Sequence, residues 1–162
     1  MGADATFNSL VGDLDYPMFI VTACAGGERS GCLVGFATQT SIDPPRFAVG
    51  LSRENRTFRH GRDAHVLGVH CVPADAADLA ELFGGETGDE VDKFERCEWR
   101  EGPEGVPLLD GCPNRFVGHI VERIDFGDHV GMVLEPFFAE ADEESAQLGF
   151  HRAKRIEPGH EA

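Results

Sequence analysis

The sequence predicts a mainly β chain whose antiparallel hairpins close or partly close into a small β-barrel with few helices. Three observations carry this. Short apolar and β-branched runs recur with turn residues between them. Regular strand–helix alternation is missing, which disfavours a doubly wound parallel sheet. Several glycines fall inside the strand-like runs, as they do at barrel bends, bulges and close backbone approaches. With 162 residues, one domain spanning 1–162 is the expectation.

The elements follow in order. Tyr16–Cys24, "YPMFIVTAC", reads as a strand. "AGGERSG" supplies the turn, with Gly26-Gly27 able to take positive φ. Cys32–Thr40 reads as the returning strand of a hairpin, and Pro44-Pro45 breaks the chain before a third strand, Phe47–Leu51. The polar "SRENRTFRHGRD" suits a turn and a short helix capped near Asn55 or Thr57. His65–Val72 is a fourth strand. "PADAADLAELFGG" is the clearest helix: Pro73 or Asp75 marks its start, Leu79, Leu82 and Phe83 form its apolar stripe, and Gly84-Gly85 ends it. "DEVDKFERCEW" adds a shorter helix. Arg115–Asp125 and His129–Ala139 form a second hairpin around "FGD", and "QLGFHRAKRIEPGHEA" holds a short extended piece before a frayed end. The sum is six strands.

The formal net charge of −15 argues against nucleic acid and anionic membrane as partners, because phosphate binding rests on Lys and Arg. No apolar run approaches the ~18 residues of a membrane helix. The first residues lack a basic start and a long apolar run, so no signal peptide is expected. Five irregularly spaced cysteines, with no CxxC pair, fit reduced thiols in a cytoplasm better than a disulfide framework. Cys24, Cys32 and Cys71 read as small buried apolar residues.

Few residues suggest chemistry on their own. His60, His65 and His70 recur every five positions, but strand alternation puts His65 and His70 on opposite faces, so no metal site is expected. There is no G-x-S-x-G, no G-x-G-x-x-G and no Walker sequence. Arg53, Arg56, Arg59 and Arg62 cluster against the acidic background. They read either as a solvated helix face or as a seat for a small anion. His129 opens a strand after Gly-Asp, where side chains rim a barrel mouth. Gly31–Arg46 could set bare strand backbone against a flat ligand, and Ser52–Arg62 could offer donors to a phosphate. Together they suit a flavin mononucleotide. A barrel corner beside a polar helix cap explains them equally well.

The run from Gly31 to Pro45, closing on "SIDPP", resembles the flavin reductase-like family, whose fold is the FMN-binding split barrel. "FIVTA" is similar to the family's first strand, "FAVGLSRENRT" to the strand and phosphate turn that follow, and "GDHVGMVLE" to its Gly-Asp-His hairpin. "LAELFGG" and "DKFERCEWREGPEGVPLLDG" resemble its helix and following loop. The ordered set runs from about residue 16 to 156. The resemblance implies a six-stranded antiparallel split barrel of Greek-key character, working as a homodimer with flavin at the interface. It implies reduction of FMN, with FAD possible, by NADH or NADPH, and in many members delivery of reduced flavin to a separate monooxygenase. Carried over by position, Leu33, Val34 and Gly35 would lie along the isoalloxazine. Gln39, Thr40 and Ser41 would contact the ribityl and phosphate region, and Asn55, Arg56 and Thr57 would hold the phosphate. His129 would face the nicotinamide side. Where many members carry small or polar residues, this chain reads Leu33-Val34-Gly35-Phe36, which implies a drier and bulkier flavin face. That departure keeps two other readings open: a split-barrel protein that holds flavin, haem or another planar cofactor without reductase activity, and an enzyme of the same fold using a deazaflavin.

Overall fold

The computed structural model describes residues 2–85, 92–142 and 146–156. Its elements in chain order are α1 (Ala3–Gly12), β1 (Phe19–Ala25), β2 (Glu28–Val34), β3 (Ala37–Ser41), β4 (Arg46–Ser52), α2 (Arg56–Gly61), β5 (Val66–Cys71), α3 (Ala77–Gly85), β6 (Trp99–Glu101), β7 (Pro107–Leu109), β8 (Arg115–Asp125), β9 (His129–Glu140) and α4 (Phe150–Ala153). Seven strands pair antiparallel in the order β2-β1-β5-β8-β9-β4-β3, and β6 pairs with β7 alone.

The expected six strands become seven in the main sheet because the run Cys32–Thr40 is two strands. Val34 is the last β2 residue in register with β1, opposite Phe19. The Phe36 carbonyl then accepts from Gly50 N–H at 2.7 Å, and Ala37 N–H turns back to the Gly35 carbonyl at 3.1 Å. Gly35-Phe36 is thus the corner where the chain leaves β1 and joins β4. Helix α1 and the β6–β7 pair have no counterpart in the sequence reading. The C-terminal segment, expected to be extended, is so only at the bridges of Gln147 and Gly149 and then forms helix α4; the other strands and helices lie close to where they are expected, and the Arg115–Asp125 strand does so to the residue. The second short helix is seen from Asp92 onward as a single 3-10 turn, Lys93–Glu95. Its first residues, the frayed end beyond 156 and the His60 side chain lie outside the described residues.

Each hairpin follows its turn chemistry. Gly26 and Gly27 take φ of +58° and +78° between the paired Ala25 and Glu28, which is the two-residue primed turn that matches strand twist. At the second hairpin, Gly127 takes φ +129°, and the Asp125 carboxylate accepts its N–H at 2.9 Å. Register shifts after Val117 and Ile120 bend this long arm.

Alternation along β1 separates two of the three buried apolar clusters, the third being Val66, Val106, Leu108 and Val117. Phe19, Val21 and Ala23 of β1 face the barrel interior with Cys32, Val34, Val49, Leu51, Leu67, Val69, Met132 and Leu134. Met18 and Ile20 face outward, where Ala80 and Phe83 of α3 cover them together with Phe94, Leu109 and Leu148. The sequence reading took Cys24, Cys32 and Cys71 as buried; Cys32 is, while Cys24 and Cys71 are half-buried, and all five thiols are free.

His70 and His65 do lie apart, one buried and one exposed, and His70 is a structural clamp. Its Nδ1 meets the Ile20 carbonyl at 3.1 Å, and its Nε2 accepts from Leu109 N–H at 3.1 Å, tying β7 to the sheet. The pattern requires the neutral ring with its proton on Nδ1. Burial pushes the pKa down to about 4 from 6.5, with the Ile20 carbonyl opposing and Arg115 reinforcing. The unfolded chain therefore takes up this proton first. The contribution is whole above pH 6.5 and is lost as pH falls toward 4, by about 3 kcal/mol. Urea unfolding at pH 7 and pH 4.5 is expected to show this loss, and His70→Gln to flatten that part of the slope. An unchanged slope in the variant would remove His70 from the account.

Candidate functional site

A cleft of about 460 Å³ opens where the β2–β3 corner meets the ends of β4 and β9. Its parts come from five places in the chain. The corner contributes Leu33, Val34, Gly35 and Phe36. β4 and the turn after it contribute Gly50, Ser52 and Asn55, the second hairpin contributes Asp128 and His129, and Tyr16, Met18 and Phe150 close the far side.

The walls are flat and apolar. Tyr16 and Phe150 stack with centroids 4.6 Å apart and planes 12° from parallel, held by Phe150 N–H donating to the Tyr16 carbonyl at 2.8 Å. Burial, then the neighbouring Asp15 charge, raises the Tyr16 phenol pKa, so its hydroxyl keeps its proton near neutral pH. Opposite, Phe36 lies against His129 with centroids 4.9 Å apart. Glycines make room for these rings. A Cβ on Gly35 would lie 2.7 Å from the Tyr16 ring, and one on Gly50 would lie 3.2 Å from Phe36 Cβ.

The polar end is built by the turn into α2. The Ser52 carbonyl accepts from Asn55 N–H at 3.0 Å, and Asn55 Oδ1 caps the helix by accepting from Thr57 N–H at 2.7 Å. Arg53 ties this turn to the second hairpin: its N–H reaches the Asp128 carbonyl, its Nε the Gly127 carbonyl, and its Nη2 the Asp125 carboxylate at 2.9 Å. That pairing lowers the Asp125 pKa, after the Gly127 N–H. His129 sits opposite Ser52 in the β4–β9 register. Its Nδ1 is 2.7 Å from Asp128 Oδ1, a contact that lowers the Asp128 pKa. A carboxylate only accepts, so the proton sits on Nδ1 and Nε2 faces outward chemistry with its lone pair when the ring is neutral.

Of the residues expected from sequence, Leu33, Val34, Gly35, Asn55 and His129 come together around this cleft. Thr57 is buried just behind it, and its Oγ1 has no hydrogen-bond partner among the described residues. Arg56 pairs with Glu28 at 3.8 Å and does not line the cleft. Gln39, Thr40 and Ser41 line a separate hollow with Ile42 and Asp43. Tyr16, Met18, Phe36, Asp128 and Phe150 were missed. Phe36 and Asp128 belong to the Leu33–Phe36 run and the Gly-Asp-His hairpin already singled out, though neither was assigned a contact; Tyr16 and Phe150 meet only through the fold. Among the described residues, no three His, Cys, Asp or Glu side chains gather as a metal-ligand set.

The model of the flavin reductase like domain matches residues 11–157. The chain belongs to this family. Curated relatives of this flavin reductase like chain include a ferric-chelate reductase (NAD(P)H) of Archaeoglobus fulgidus. It is 26% identical over 139 residues, 85% of this chain and 82% of the relative. An FMN reductase (NADH) of Klebsiella pneumoniae subsp. pneumoniae is 26% identical over 125 residues, 77% of this chain and 76% of the relative. The NADH:FAD oxidoreductase of Streptomyces globisporus C-1027 shares the fold, with TM-score 0.83 at 21% identity, over 91% of this chain and 88% of that one. The flavin reductase like fold is thus the antiparallel split barrel expected from the sequence.

Proposed function

We propose that the chain, a single flavin reductase like domain, uses NAD(P)H to reduce FMN held in this cleft, with FAD as the alternative flavin. The observation that carries the reading is the cleft itself. It has aromatic walls, a floor relieved of side chains at Gly35 and Gly50, and a polar end at a capped helix start. A volume of about 460 Å³ lies within the usual range for small-molecule sites, roughly 300–1,000 Å³.

The residues present fit FMN. The apolar faces of Leu33, Val34 and Tyr16 suit the isoalloxazine. Gly35 follows the last ladder pair of β2, so its main chain is the group assigned to the ring's polar edge. Asn55, with the buried Thr57 hydroxyl behind it, is assigned to the phosphate, and Arg56, which pairs with Glu28 off the cleft, would have to turn to join them. When bound, the flavin supplies the chemistry by accepting at N5 the hydride that leaves nicotinamide C4, a two-electron transfer. The protein's part would be to seat the flavin against Leu33, Val34 and Tyr16 and to keep water from it. His129, oriented by Asp128, positions the nicotinamide.

A homodimer is part of the proposal. Val121, Ile124, Phe126 and Phe137 of the long hairpin, and Phe7, Leu10 and Leu14 at α1, are exposed apolar side chains that a second copy would cover. No helix among the described residues is long and apolar enough to cross a membrane. A cytoplasmic location and delivery of reduced flavin to a monooxygenase complete the proposal.

His129→Ala tests the assignment. The variant is expected to raise the KM for NAD(P)H roughly tenfold, about 1.4 kcal/mol, and to shift FMN affinity by less than about twofold. FMN affinity is read by quenching of its fluorescence and the KM by NAD(P)H oxidation. Unchanged NAD(P)H kinetics would remove His129 from this role.

A further inference from the structure

We infer that Phe36 is a placeholder for the nicotinamide: its ring covers the open face of the bound flavin and must leave for hydride transfer. The inference rests on the flavin reading above and assigns to that site a residue governing both flavin retention and access of the reductant.

The backbone and the ring of Phe36 are held very differently. Its carbonyl accepts from Gly50 N–H at 2.7 Å, and a Cβ at position 50 would crowd the Phe36 Cβ at 3.2 Å. The main chain is therefore pinned to β4. The ring, by contrast, is on the cleft lip in a residue 59% exposed. An apolar ring so placed is restrained by its side-chain torsions and by its contact with the His129 ring. Covering a flat apolar ligand in the cleft would remove surface from water on both partners.

Phe36 also lies against His129, the residue assigned to the nicotinamide. A nicotinamide seated beside His129 and over the flavin needs the space into which the Phe36 ring would swing. The two rings compete for one face. The second lip residue, Asp128, holds His129 through Nδ1, a contact in which Phe36 takes no part. Phe36 can therefore move without releasing the imidazole.

Competition has two opposite signatures in one variant. Phe36→Ala is expected to speed FMN release roughly five- to tenfold, through loss of an aromatic contact. It is expected to lower the KM for NAD(P)H roughly three- to tenfold. Phe36→Trp, which keeps an aromatic ring, is expected to restore slow release. Release is read by stopped-flow recovery of FMN fluorescence on dilution, which requires no turnover. Phe36→Leu serves as the second truncation if the alanine variant does not fold.

Opposite movements of release and KM support the placeholder. A raised KM would make Phe36 a nicotinamide platform and overturn it. So would release and KM both within twofold of wild type, including the case in which the variant alters only self-association. Wild-type protein that binds no FMN would fail the flavin reading first and take this inference with it; wild-type protein that binds and is reduced, beside an indifferent Phe36→Ala, fails this inference alone.

Discussion

Phe83→Ala is expected to lower the unfolding free energy by about 3–5 kcal/mol, the range for truncating a buried aromatic. The ring is a fully covered side chain on α3 and packs edge-on against Phe94, centroids 5.6 Å apart. Its seat was cut in the sheet: a Cβ on Gly31 would lie 2.6 Å from Phe83 Cε1, so β2 gives up a side chain there to let the helix down. The void would not close easily. Lys93 is buried over the ring at 5.5 Å and donates to the carbonyls of Gly31 and Phe83, both at 3.0 Å. That ammonium is held by main chain on both sides and cannot move into the gap without losing a partner. The same helix end presses on the cleft, since a Cβ at Gly84 would meet Leu33 Cδ2 at 2.8 Å. Loss of Phe83 is therefore expected to weaken FMN binding as well. Urea unfolding followed by circular dichroism reads the first effect; a loss below about 1 kcal/mol would mean that α3 does not brace β2 as described.

Gly35→Val is expected to weaken FMN binding by about 1–3 kcal/mol, roughly 5- to 150-fold, while changing fold stability far less. An added Cβ would come within 2.7 Å of the Tyr16 ring and 3.4 Å of the Met18 sulfur. In the free protein Tyr16 can yield toward the open cleft, so the crowding costs little. With a flat ring in place that retreat is closed, and the overpacking penalty falls on the bound state. Tyr16 would also part from Phe150, whose stacking closes that side. Fluorescence titration with FMN, beside thermal melts of both proteins without flavin, separates the two effects. Equal affinity would show that the cleft floor does not lie under the ligand.

Much of this architecture was legible in the sequence because local chemistry and tertiary structure agree. Gly26-Gly27 demanded a primed turn and form one; Asn55 offered a cap and is one. Gly31 and Gly35 change places between the two readings: the turn assigned to Gly31 is strand β2, the strand assigned to Gly35 is the corner after it, and the cause of neither glycine was fully visible. Gly31 yields to Phe83 on a helix outside the barrel, and Gly35 to Tyr16, rather than both simply baring backbone to a ligand. Such partners lie far along the chain, where periodicity carries no information. Helix α1 escaped notice because it buries no residue and its apolar positions are few. Strands β6 and β7 are three residues each, too short for alternation to register. At the site, His129 and Asn55 stood out by turn context. Tyr16 and Phe150 did not, since an aromatic beside a strand or near a terminus looks like any core residue until the fold brings the two rings together.

Charge gives the site its contrast. Against a net charge of −15, the turn Ser52–Arg62 gathers four arginines, and Arg53 and Arg62 each lie about 6.0 Å from the Phe58 ring centroid. An anionic ligand at that end of the cleft would lie near these arginines, of which Arg53 is paired with Asp125 and Arg56 with Glu28. The arginines' field would draw the phosphate of FMN and the pyrophosphate of NAD(P)H toward one end of the cleft. Their flat rings would then meet between Tyr16 and His129. The most direct measurement is anaerobic stopped-flow mixing of FMN-loaded protein with NADH, then with NADPH, following the loss of flavin absorbance. The account predicts that at least one nucleotide bleaches the bound flavin with a rate that saturates in nucleotide and falls at limiting concentration in His129→Ala; flavin that binds but stays oxidised with both nucleotides would contradict it.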